Sequence, residues 1–136
     1  MNLLKKVISQ RVAALGLLTL FSLVIAFHFL VLAKVIPYKI VWGGRLENDA
    51  QMIRFEVVSI ALNLIMLTWV SIKSGYLKWE ISQRWIQSGM WIMVALFLLN
   101  TVGNLFAIND WERWIFTPLT FLLAMFSLRL AIDTQN

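Results

Sequence analysis

The chain has 136 residues, of which 60% are hydrophobic and 14% charged, with seven Trp, nine Phe and a formal net charge of +5. A water-soluble domain of this length has no interior large enough to hide that much apolar surface, so the composition excludes an ordinary globular enzyme and defines a membrane class. Cysteine is absent and histidine occurs once, which excludes disulfides, thiolate catalysis and Cys/His metal cages; no metal and no cofactor is expected.

The opening stretch MNLLKKVISQR places three basic residues before an apolar run, as signal peptides do. That run, residues 12–33, is 22 residues long with His28 as its only ionisable member, and no small-x-small cleavage site precedes a polar start. An uncleaved span is therefore expected, since crossing a bilayer takes about 20 mostly apolar residues. Helices in lipid associate through close packing of small residues, so Thr19, Ser22, Ala26 and Ala33 predict the inner face. His28 lies roughly 140° from that stripe at about 100° per residue. It shares a face with Leu17, Phe21, Val24 and Leu32, which places it outside a pocket, towards a second copy or the headgroups. A proton relay is the functional alternative for an intramembrane ionisable residue.

Next comes IPYKIVWGGRLENDAQMIRFE, residues 36–56, which holds three of the seven acidic residues. Gly43 and Gly44 match a two-residue hairpin turn, which favours Gly-Gly because its centre needs positive φ. Such a turn sets Trp42 opposite Arg45, with the cation over the indole face. The stretch is read either as a lid over the outer mouth of the bundle or as an interfacial loop anchored by Tyr38 and Trp42. Asn48 or Asp49 is suited to cap the second helix, Gln51 completing a capping box if Asn48 is the cap, and Ser74 with Gly75 suits its end. Glu56, Ser59, Asn63 and Met66 predict its inner face.

The connection KSGYLKWEISQRW is basic and aromatic and suits anionic headgroups. Residues 85–109 form 25 uncharged residues, whose inner face is predicted at Gly89, Leu96, Asn100, Gly103, Asn104 and Ala107. After the NDWER turn, Asn109 or Asp110 is suited to cap the last helix. Pro118 either kinks that helix or, with Thr117 as cap, starts a separate segment. Thr117, Thr120, Ala124, Ser127 and Ala131 predict its inner face, and Arg129 is expected to snorkel to the interface.

These elements define an all-α, integral membrane, four-helix antiparallel bundle. A single domain, 1–136, has spans at about 12–34, 52–72, 86–108 and 114–132. Of the twelve basic residues, Lys5, Lys6, Arg11, Lys73, Lys78, Arg84 and Arg129 fall on one side. Lys34, Lys39, Arg45, Arg54 and Arg113 fall on the other, so both termini are expected in the cytoplasm. Trp and Tyr concentrate at two levels, Tyr38, Trp42, Trp111 and Trp114 outside and Trp69, Tyr76, Trp79 and Trp85 inside, as interface belts do. Compactness and the charged start suggest the inner (plasma) membrane of a bacterium, with a eukaryotic organelle membrane as the alternative. The basic residues flank apolar runs, so lipid and not nucleic acid is the expected contact.

Glu56, Asn63, Asn100 and Asn104 all fall in the outer half. They are read as a pocket, with Trp42 and Arg45 in the lid and Arg45 or Arg54 as the cation near Glu56. The plainer reading makes the asparagines interhelical glue and leaves Glu56 hydrated or paired. The expected function is binding of a small ligand, lipid or protein partner through this polar mouth, alone or as a homo-oligomer or part of a membrane assembly. The alternatives are an oligomeric small-molecule transporter with Glu56 as coupling carboxylate, and an enzyme on a lipidic substrate with Glu56 as acid or base. The balance leans away from an enzyme, and no catalytic residue is assigned.

Overall fold

Two short polar side chains decide where the first long helices begin. Ser9 accepts a hydrogen bond from the Val12 amide at 3.1 Å, and Asn48 accepts one from the Gln51 amide at 2.9 Å, each satisfying an orphan donor of a first turn. Gln51 reaches back to the Glu47 amide at 3.0 Å, one residue before the position that a capping box specifies. The computed structural model describes residues 2–133, so Met1 and the last three residues of the expected 1–136 domain lie outside the described residues.

The helices are α1 (Asn2–Val7), α2 (Gln10–Leu32), α3 (Asp49–Lys73), α4 (Gln83–Leu105) and α5 (Thr117–Ala131). Short 3-10 turns lie at Tyr38–Ile40 and Trp42–Gly44, and a π turn at Glu112–Phe116 leads directly into α5. The described residues contain no strand. Among the described residues four helices are long and apolar enough to cross a membrane, α5 counting from the π turn. Their outer faces carry bare aliphatic side chains, among them Leu99 at 73% and Ile92 at 63% exposure, a surface suited to lipid and not to water.

Packing follows a spacing of alternately three and four residues. On α2 the seam runs through Ala14, Leu17, Phe21, Val24, His28 and Val31; on α3 it runs through Met52, Glu56, Ser59, Asn63, Met66, Val70 and Lys73. This is the pattern by which slightly supercoiled helices keep one face towards their neighbours. The main core gathers Leu17, Phe21, Met90, Phe97 and Leu123, with the Phe21 and Phe97 rings 5.8 Å apart. A smaller cluster of Val31, Val41 and Met52 lies under the 36–46 loop.

Three expectations about faces and ends are corrected. On α2, Thr19, Ser22, Ala26 and Ala33 are exposed, and the buried face is the one that carries Leu17, Phe21 and Val31. Ala13 and Ala14 are buried at the start of the helix, and beyond them large side chains make the contact instead of the expected small-residue stripe. On α4, Asn100 and Gly103 are exposed while Met90, Met93, Phe97 and Thr101 are buried. Gly89 does serve close approach, because the Trp69 indole occupies the space that a Cβ there would need and donates to the Ile86 carbonyl at 3.2 Å. Arg129 does not snorkel. It is 7% exposed, donates to the Ile8 carbonyl at 2.6 Å and pairs with Asp133 at 2.7 Å.

The same end of the bundle is tied further by Lys73, whose ammonium donates to the Asp133 carbonyl at 2.7 Å. Gln87 donates to the Ala131 carbonyl.

Candidate functional site

The opposite end carries a second set of buried polar groups, Glu56, Asn63, Glu112 and Thr120 among them. Glu56 is fully buried, and its carboxylate has two partners. His28 Nδ1 lies 2.6 Å from Oε2, a separation that requires one proton between the two atoms. Trp42 donates its indole N–H to Oε1 at 3.2 Å. Neither Arg45 nor Arg54 is the cation beside Glu56: Arg45 is exposed and Arg54 donates to the Ala50 carbonyl of its own helix at 3.3 Å. The histidine that sequence reasoning set apart is the main partner of the carboxylate. His28 stands on the seam of α2, and rotation of that helix onto its large residues turns the imidazole inward.

The Gly-Gly stretch is not a hairpin. Trp42, Gly43 and Gly44 adopt φ of 56°, 69° and 70°, three left-handed residues in succession that wind the chain into 3-10 turns. Gly tolerates this conformation and Trp does not without cost, so tertiary contacts must hold the tryptophan. They are the bond to Glu56 and packing of the indole against Phe55, with ring centroids 4.8 Å apart. That tilted ring contact stands where the cation contact with Arg45 was expected. The Gly43 amide donates to Glu112 Oε2 at 2.6 Å. Asn109 accepts from the Glu112 amide at 2.8 Å, capping the last helix as read from sequence, and its side-chain amide donates to Glu112 at 3.3 Å. The loop is thus tied to α3 through Trp42 and to the start of the last span through Gly43.

Beneath the loop lies a cavity of about 340 Å³, within the size range of small-molecule sites. Most of its wall is apolar, including Val24, Phe27, Leu96, Phe97, Leu119 and Leu123. The polar lining groups are His28, Trp42, Ser59, Asn63, Asn100, Asn104, Glu112 and Thr120, and no lysine or arginine is among them. Leu62 and Asn100 line the cavity and are also exposed, so it opens sideways between α3 and α4.

Of the residues singled out by sequence, Trp42, Asn63, Asn100 and Asn104 line this cavity. Glu56 does not; it stands behind the wall and acts on the cavity through His28 and Trp42. Arg45 lies outside the lining. Sequence reasoning missed His28, Ser59, Glu112 and Thr120 as members of the wall. The alternating three-and-four spacing along α2 is the signal that finds His28.

The lining polar groups differ in what they leave free. Asn63 donates to the Ser59 carbonyl at 2.8 Å, and Asn104 donates to Thr120 Oγ1 at 3.3 Å, so each keeps its amide oxygen. The Thr120 hydroxyl donates back to the Phe116 carbonyl at 2.8 Å, and that of Thr101, outside the lining, donates to the Phe97 carbonyl at 2.7 Å. His28 Nε2 and the Asn100 side chain have no hydrogen-bond partner among the described residues. A carboxylate that holds one ring nitrogen fixes the orientation of an imidazole and presents the other. No group of three His, Asp or Glu side chains suited to a metal ion occurs among the described residues. Comparison with protein families, curated proteins and solved structures finds no match.

Proposed function

We propose that the protein is an antiparallel four-span bundle with both termini in the cytoplasm, and that its outer-half cavity binds one neutral amphipathic molecule taken up from the bilayer. Alternation of helix direction is supported by the contacts at the two ends: Ile8, Lys73, Gln87 and Asp133 meet at one, and His28, Trp42, Glu56 and Glu112 at the other. The seven basic residues at the first end support its cytoplasmic assignment.

The observation that carries the binding reading is an apolar cavity into which hydrogen-bonding groups without protein partners converge, His28 Nε2 and Asn100 foremost. The apolar part of the ligand lies along Phe97, Leu119 and Leu123. The head meets His28 and the asparagine amides. With no lysine or arginine in the lining, a hydroxyl or amide head fits better than a carboxylate or phosphate.

The test uses a diazirine-bearing single-chain fatty alcohol on the full chain in nanodiscs, with the matching fatty acid as comparison. Labelling is expected on α3 and α4 near Leu62 and Asn100, stronger for the alcohol. Leu119→Trp, which fills the cavity, should remove most of it without changing helix content. Equal labelling of the filled variant would overturn the reading.

Burial of the His28–Glu56 pair favours a second reading, an oligomeric transporter that carries protons on that pair. It predicts proton-coupled flux that is absent from Glu56→Gln and from monomers.

A further inference from the structure

The cytoplasmic-side end of the bundle carries a charge imbalance that none of the above explains. Lys73 is 5% exposed, yet its ammonium donates only to neutral oxygens, the Asp133 carbonyl at 2.7 Å and the Gln87 side chain at 3.4 Å. The one carboxylate close by among the described residues, that of Asp133, is already shared by Lys5 at 3.5 Å and Arg129 at 2.7 Å. Among the described residues three cations therefore share one anion, with Lys73 and Arg129 buried and Lys5 exposed. Buried charge without a counter-charge is costly, and an ammonium has three donors, of which Lys73 spends two.

Beside Lys73 is a groove of about 230 Å³ between the first turns of α2 and the end of α3, lined by Gln10, Arg11, Ala14, Lys73, Ser74 and Tyr76. It contains a second cation, Arg11, and no acidic residue. The Ser74 hydroxyl is buried in its wall without a hydrogen-bond partner. Three carbonyls at the end of α3 are occupied, because the Ser74, Gly75 and Leu77 amides bond back to Val70, Ile72 and Ser71. They offer the groove little exposed negative charge. Two cations, an unpartnered hydroxyl and the positive end of the α2 dipole thus face one space.

We propose that this groove binds a phosphate group, with Arg11 and Lys73 supplying charge and the Ser74 hydroxyl donating to a phosphate oxygen. A phospholipid headgroup or a free phosphate can supply that chemistry. The site is separate from the outer-half cavity and stands without the function proposed for it.

The experiment is native mass spectrometry of the full chain released from micelles containing phosphatidylglycerol or phosphatidylcholine, with inorganic phosphate as competitor. One phosphatidylglycerol should be retained in preference to phosphatidylcholine. Arg11→Gln should weaken retention about five-fold, the factor equivalent to roughly 1 kcal/mol per basic group at an anionic surface. Ser74→Ala should weaken it as well.

Arg84→Gln controls for diffuse surface charge, because Arg84 is outside the groove and should have no effect. Retention unmoved by inorganic phosphate supports a lipid headgroup as the source. Displacement by inorganic phosphate supports a free phosphate. If Arg84→Gln weakens retention as much as Arg11→Gln, or if Arg11→Gln and Ser74→Ala both leave it unchanged, the proposal is wrong. Arg11 is exposed, so its variant folds and gives a reading in every case.

Discussion

Replacing Glu56 with leucine removes the acceptor of two donors at once, His28 Nδ1 and the Trp42 indole. Against water, a charge-assisted bond contributes about 1.5–3 kcal/mol and a neutral one about 0.5–1.5 kcal/mol. Bonds between membrane helices measure less, about 0.6 kcal/mol on average and up to about 1.7, because the unfolded chain in lipid finds other partners. The loss for Glu56→Leu is therefore set at about 2 kcal/mol, with about 1 kcal/mol of it as coupling to His28.

The coupling is isolated by a double-mutant cycle of Glu56→Leu and His28→Leu. The double variant should be less destabilised than the two single losses added together, because it leaves no buried ring nitrogen facing a hydrocarbon. Reversible unfolding in mixed SDS and dodecylmaltoside micelles, followed by far-UV circular dichroism, measures all four stabilities. His28 is the only histidine, so imidazole ¹⁵N NMR gives a single-residue readout, and its Nδ1 signal should move in Glu56→Leu. Additivity within about 0.5 kcal/mol, together with an unmoved Nδ1 signal, would show that the pair does not form and would refute the geometry of the site.

Two further outcomes test the elements around the site. Gly89→Ala places a methyl where the Trp69 indole lies and should cost about 1–3 kcal/mol of stability through overpacking; adding Trp69→Leu should recover part of that loss in the same unfolding assay. Glu112→Gln weakens the acceptor of the Gly43 amide, so exchange of that amide should speed up about tenfold, equal to about 1.4 kcal/mol, while exchange in the middle of α4 stays unchanged.

Span existence and helix ends were legible because they depend on local chemistry. The 12–33 apolar run became α2, Asn48 and Asn109 cap where a short polar side chain can accept from the first turn, and Ser74 with Gly75 ends α3. Pro118 follows a π turn that is continuous with α5, so it does not start a separate segment, and the irregularity beside it is that π turn. Helix rotation was less legible. On α3 and α5 the polar and small residues coincide with the packing seam, and Glu56, Ser59, Thr120 and Ser127 are buried as read. On α2 the two patterns separate, Ser22 and Ala26 going outward and Phe21 inward. A rule based on small residues then chooses the wrong side and takes His28 with it. The loop was misread for a different reason: Gly-Gly permits positive φ but does not choose between a hairpin and a left-handed coil. Glu112, 69 residues away, makes that choice by holding the Gly43 amide.

The π turn at Glu112–Phe116 widens the backbone by one residue for a single revolution. That added residue is a phase shift between the two halves of the last span. It lets Glu112 point at the Trp42–Gly44 coil while Phe116 and Thr120, further along, still point at the cavity. Were that revolution tightened to ordinary α geometry, everything upstream would swing by about 100° and the carboxylate would lose the glycine. The Trp42–Gly44 coil and the cavity wall are therefore set in angle to one another by one irregular revolution.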